Sequence, residues 1–197
     1  MKKLLLLIAV VVAIPIIGIL ANLFLPDPPT LKDEAAKAKK QSAIVEIANP
    51  IVEKAIRKEL KKPESKLTKS DLEKVTTLYL WDNQLIDVKG LEKLTQLRVL
   101  GLNENQLADV KGLENLMQLR WLSLDRNQLT QVPKGLRKLT QLKELWLSNN
   151  QLTDVKGLEN LTQLKHLNLN DNPALTKAQI DELQKALPNC DIDHNAK

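Results

Sequence analysis

Two apolar rhythms alternate along most of this chain. A short L-x-L alternation, which suits a strand with one buried side, is followed by leucines three residues apart, which suits one face of a helical turn. The unit is clearest from Val75 to Gln96, V-T-T-L-Y-L-W-D-N-Q-L-I-D-V-K-G-L-E-K-L-T-Q. It returns over Leu97–Gln118, Leu119–Gln141 and Leu142–Gln163 and decays after Leu164. A unit of about 22 residues buries its apolar face only against its neighbours, so a fixed period of this length predicts a solenoid of about five repeats over residues 75–175.

Each unit carries the frame L-x-x-L-x-L-x-x-N-x-L, for example Leu97, Leu100, Leu102, Asn105 and Leu107, or Leu142, Leu145, Leu147, Asn150 and Leu152. The asparagine column is Asn83, Asn105, Asn127, Asn150 and Asn172. An inward-facing amide there can bond the backbone of the turn after the strand, which would otherwise hold buried unpaired groups. The second half, D-V-K-G-L-E-x-L, places Gly90, Gly112, Gly135 and Gly157 at a tight bend before a short helix or 3₁₀ turn. The third unit has one extra residue, Pro133, whose removal restores the register.

These frames resemble the leucine-rich repeat family, and more narrowly the 22-residue, internalin-like units of bacterial proteins. The resemblance covers roughly residues 49–193. It implies an α/β solenoid: a right-handed curved horseshoe with a parallel β-sheet on the concave face and helical N- and C-terminal caps.

Both ends need covering. Asn49-Pro50 followed by Ile51, Ala55, Ile56 and Leu60 along one side predicts a helix in an N-terminal cap over residues 49–74. Thr176 opens an amphipathic helix closed by Pro188, so residues 176–197 are expected to form a C-terminal cap and tail, with Ile180, Leu183 and Leu187 covering the last repeat. Cys190 is expected to be a small buried residue of that cap.

Ahead of the repeats, M-K-K precedes an apolar run from Leu4 to Leu25. At 1.5 Å per residue it spans about 33 Å, enough for a single N-terminal transmembrane helix. Residues 1–25 are therefore expected to anchor the chain, or to be a cleaved signal peptide, although Ile19 before Ala21 makes a poor cleavage site. Lys2 and Lys3 favour a cytoplasmic N-terminus, with the repeats outside it (periplasmic or at the cell surface, and secreted if the leader is cleaved). Residues 26–48 read as a charged helical stalk: P-D-P-P breaks the chain, and Thr30 with Asp33 has capping-box spacing for a helix running to about Ala48.

Composition narrows the chemistry. A single cysteine excludes an intrachain disulfide, so an outside location rests on the leader alone. The net charge of +5 is interspersed with acids, which does not suit nucleic acid. The two histidines, His166 and His194, form no metal cluster with other ligands in the sequence, and no H-E-x-x-H, C-x-x-C, G-x-S-x-G, P-loop or dinucleotide fingerprint is present. Neither an enzyme nor a bound cofactor is expected. Asn160-Leu161-Thr162 is a glycosylation triplet that belongs to the repeat consensus.

Outside the leader the aromatics are Tyr79, Trp81, Trp121 and Trp146. All fall at third, fifth or seventh positions of the frame, which project from the strand face opposite the leucines. Trp121 and Trp146 occupy adjacent strands at diagonal positions, within touching reach. Exposed aromatics bury large areas at small entropy cost when a partner arrives. Tyr79, Trp81, Trp121 and Trp146, with Asp125, Arg126, Glu144 and His166 around them, are thus expected to hold a protein or peptide ligand on the concave face. Two other readings remain: a structural or envelope-interaction protein acting through self-association, and a glycan-binding domain. The sequence leaves the oligomeric state open.

Overall fold

A computed structural model describes residues 31–197. The apolar run 4–25 and Thr30 lie outside the described residues, and among the described residues no helix is long and apolar enough to cross a membrane. The chain divides into two compact units, Met1–Ala38 and Lys39–Lys197, and the repeats occupy the second.

Helix α1 spans Leu31–Gln41, with Asp33 and Glu34 in its first turn and Lys39 and Lys40 in its last, signs that complement the helix dipole. It stops short of Ala48. From Ala43 the sequence turns apolar and β-branched, and the backbone takes up an antiparallel bridge of Ile44 with Thr68, in which Val45 N–H donates to the Leu67 carbonyl at 2.9 Å. Ile47 enters the core at 6% exposure. Side-chain burial thus outweighs helix continuation at this point.

Helix α2, Pro50–Glu59, starts as its sequence dictates: the Asn49 side chain accepts from the backbone N–H of Ile51 and Val52, and Pro50 sits in the first turn. Val52 and Ile56 are fully buried. The four-residue α3, Lys69–Leu72, is set by a reciprocal capping box between Thr68 and Asp71. Asp71 is buried and accepts from Lys62 Nζ at 2.8 Å. That bond, with those from Thr68, outweighs burial and holds its carboxyl well below the usual range.

Six short strands follow in sequence order as one parallel sheet: β1 Thr77–Tyr79, β2 Val99–Gly101, β3 Trp121–Ser123, β4 Glu144–Trp146, β5 His166–Asn168 and β6 Asp191–Asp193. Register is uniform, with Leu78, Leu100, Leu122, Leu145, Leu167 and Ile192 paired in line. Between strands lie 3₁₀ turns at Leu91–Lys93, Leu113–Asn115, Lys134–Lys138 and Leu158–Asn160. The consensus leucines form one continuous core, and α4, Lys177–Ala186, adds Ile180, Leu183 and the following Leu187 to it. Cys190 lies in the same core, where burial pushes its thiol up to about 11.

Asparagines bind each repeat to the one before. Asn105 Nδ2 donates to the Leu80 and Leu102 carbonyls at 2.8 and 2.9 Å, while its Oδ1 accepts from the backbone N–H of Leu85 at 2.9 Å. Asn127, Asn150 and Asn172 repeat this pattern. Asn83 differs: no repeat precedes it, and its amide turns to the Trp81 carbonyl of its own turn.

Gly90, Gly112 and Gly157 enter their 3₁₀ turns at φ of 98°, 107° and 100°, values that L side chains avoid. Gly135 does not. The extra Pro133, at φ −57° and ψ 131°, lengthens that approach, and the turn begins without a left-handed residue.

Candidate binding face of the sheet

Strand alternation sends the leucines inward and leaves the residues on either side of them to form the opposite face of the sheet. One column of that face runs Thr77, Val99, Trp121, Glu144, His166 and Asp191; the next runs Tyr79, Gly101, Ser123, Trp146, Asn168 and Asp193. The sixth strand extends both columns with acids. It was missed in the sequence because D-I-D carries no leucine frame, although its alternation around Ile192 was there to be found.

The aromatics form two groups. Tyr79 and Trp81 are stacked, ring centroids 5.7 Å apart and planes at 28°, and are 52% and 59% exposed. Room for the Tyr79 ring comes from Gly101 on the next strand, where an added Cβ would meet Tyr79 Cδ1 at 3.0 Å. Beside this pair a hollow of about 490 Å³ opens towards α2, lined by Ile51, Lys54 and Lys58 among others.

In the second group Trp146 stacks on His166 at 6.4 Å and 18°, and its indole Nε1–H is buried without a partner among the described residues. Trp121 is half-buried and registers against Glu144. The ring pairs are thus Tyr79 with Trp81 and Trp146 with His166; among the described residues Trp121 and Trp146 make no ring contact.

The polar residues expected around the aromatics are differently engaged. Asp125 Oδ1 accepts from the Ser148 backbone N–H at 2.7 Å and from its hydroxyl at 2.8 Å, while Oδ2 accepts from the Ser123 hydroxyl at 3.1 Å. It ties β3 and β4 together across their C-terminal ends. Arg126 is exposed, holds a left-handed φ of 52°, and lies 3.9 Å from Glu104. His166 Nδ1 lies 3.8 Å from Asp191 of the added strand. Glu144, half-buried, stands between Trp121 and His166 in register. Among the described residues no group of three His, Cys, Asp or Glu side chains could hold a metal ion.

A hollow of about 540 Å³ also lies beside Pro133, lined by Asp109, Lys111, Glu114 and Lys138 among others, with no aromatic side chain in its wall.

A sequence profile for leucine-rich repeats, in two copies, matches residues 73–115, 118–160 and 140–185. No curated protein matches the chain. Among solved structures, an internalin (InlF) of Listeria monocytogenes is 29% identical with a TM-score of 0.69 over 77% of this chain and 45% of its own. A leucine-rich repeat protein of Leptospira interrogans is 33% identical with a TM-score of 0.58 over 64% of this chain and 33% of its own. The functional domain of InlJ from Listeria monocytogenes, 20% identical with a TM-score of 0.58, shares the fold over 77% of this chain and 38% of its own. That domain includes a cysteine ladder, whereas this chain has one cysteine and a ladder of asparagines. The chain spans less than half the length of each of these proteins.

Proposed function

Because the chain belongs to the leucine-rich repeat family, and within it is internalin-like, we propose that it is a non-enzymatic protein-binding module whose ligand lies on the concave face of the sheet. Tyr79, Trp81, Trp121 and Trp146 supply the contact area, and Arg126, Glu144 and His166 the polar rim. Asp125 holds two strands in place beneath it. One observation carries this reading. Every aromatic side chain among residues 31–197 lies on the one face, and Tyr79 and Trp81 leave more than half of their surface open to water. Large exposed aromatics on a rigid sheet gain most when a partner removes them from water.

In this reading α2 with α3, and α4 with β6, cap the two ends of the solenoid. Residues 26–48 link it to a membrane, and the apolar run 4–25 displays it outside the cytoplasm.

The test is capture of a binding partner by the full chain beside two variants, Trp121→Ala with Trp146→Ala and Tyr79→Ala with Trp81→Ala. A partner held by the wild-type chain and lost by either variant supports the face. A partner held equally by all three would remove it. Alkaline extraction of membranes with N-terminal sequencing of the mature chain tests the leader separately: a chain beginning after residue 21 and released by alkali would overturn the anchor.

A further inference from the structure

The residue just before each of strands β2 to β5 is a cation: Arg98, Arg120, Lys143 and Lys165, all exposed. They are held in line by the backbone. The Arg98 carbonyl accepts from Arg120 N–H at 2.9 Å, Arg120 from Lys143 at 2.8 Å, and Lys143 from Lys165 at 2.8 Å. Successive members therefore stand one strand spacing apart, about 4.8 Å, and the row is about 14 Å long.

Like charges facing each other across strands destabilise a sheet. Here four do so in succession, and among the described residues none of them has a carboxylate within ion-pair distance. Glu144 is the carboxylate in the neighbouring column within the length of the row. The opposite edge of the face is also charged, and apart from the exposed Asp82 its charges are answered among the described residues. Asp125 is bonded to Ser148 and Ser123, Asp171 to Asn195 and Asn149, and Glu104 faces Arg126. The face is therefore asymmetric, with unanswered cations along its leading edge, aromatics in its middle and acids, most of them bonded, along its trailing edge. Core packing does not require this arrangement, because none of the four side chains is buried.

We infer that the row Arg98, Arg120, Lys143 and Lys165 docks an acidic segment of the protein partner and orients it with its carboxylates along the leading edge. This rests on the protein-binding reading above and adds the partner's chemistry to it. Long, flexible cationic side chains in a line suit a run of carboxylates better than one fixed ion. Such a contact steers association and sets orientation.

The test uses the full chain and a fluorescein-labelled oligoglutamate peptide, with polyphosphate as a second probe. The quadruple variant Arg98→Ala, Arg120→Ala, Lys143→Ala, Lys165→Ala is expected to lose peptide binding by about tenfold or more. Wild-type binding should weaken as salt rises. The variant should melt at or above the wild-type temperature, since repulsion is removed; if it unfolds, the single reversal Arg120→Glu replaces it. One control fixes the site. Lys89→Ala, Lys111→Ala, Lys134→Ala, Lys156→Ala removes four charges elsewhere and should bind as wild type. Peptide binding reads the row alone, while partner capture by the aromatic variants reads the face, so failure of the aromatic face and failure of the row are separable. Equal losses in the two lysine and arginine variants would mean general charge attraction and overturn the proposal. So would no peptide binding by the wild type, or binding of polyphosphate alone.

Discussion

The two sides of the sheet have opposite histories written in them. On the inner side the repeats after the first say the same thing: leucine, leucine, leucine, asparagine, each almost wholly buried. On the outer side the repeats diverge; one column reads Thr77, Val99, Trp121, Glu144, His166. The inner side is constrained by close packing and by polar groups that have no water to turn to. The outer side is free of both demands, so its residues can be chosen for what they meet. Stability and recognition are therefore carried by different residues of the same three-residue strands.

Mutations can break or sharpen that division. The largest effect is expected at the centre of the core, where Leu122→Ala should cost about 2–5 kcal/mol, read by denaturant unfolding. Next is Asn127→Ala, which strands the Leu107 N–H and takes one of two amide donors from each of the Leu102 and Leu124 carbonyls, which keep Asn105 and Asn150. About 1–3 kcal/mol is expected. Asn83→Ala, at the end of the column with no earlier repeat to bind, should cost well under half of that. Equal costs for the two would mean that the ladder is not what holds adjacent repeats.

Acid separates a third contribution. The folded Asp71 carboxyl lies below its ordinary value of 3.8, chiefly through Lys62. Its stabilisation is therefore fully present above about pH 4 and lost as the pH falls through that value towards the folded pKa. Asp71→Asn should be less stable at neutral pH and show a shallower decline on acidification, followed by circular dichroism. A parallel decline in both chains would exclude Asp71 as a source of the acid limb.

Smaller still is the glycine pair. Gly112→Ala forces a side chain into φ 107° and should cost about 1–2 kcal/mol, although its Cβ would meet nothing closer than 3.6 Å. Gly135→Ala has no such backbone demand; its Cβ would meet Glu114 Oε2 at 2.9 Å and Cβ at 3.3 Å, a contact that a small shift of that side chain relieves. Its cost should be visibly lower in the same melts. At the bottom stands Trp81→Ala, expected within about 0.5 kcal/mol of wild type because its ring is mostly in water. A loss comparable to Leu122→Ala would place Trp81 in the core and move the frame by one residue.

Much of the inner side could be read from the chain. The leucine frame and the asparagine column are periodic, and periodicity reports a shared environment without reference to contacts. The columns of the outer side could be read too, because alternation fixes which face a residue joins. What the rings touch could not. Tyr79 lies down because Gly101, 22 positions later, leaves space for it. Trp146 finds His166 and not Trp121. Gly135 looked like its three counterparts, yet the Pro133 insertion changed its backbone. The end of α1 was misjudged for a related reason: Ile47 had a place in the core that local helix signals do not record.

By itself, then, the sequence determined the repeat, its period, the buried columns and the face on which each aromatic stands, since these follow from side-chain alternation and the need to bury leucine. Only the tertiary structure decided that D-I-D becomes a sixth strand, that Asp125 ties neighbouring strands together, and that four cations stand in line with no carboxylate among the described residues within ion-pair distance. These depend on which residues of different repeats are brought to one strand spacing, a relation that register creates and that no single repeat contains.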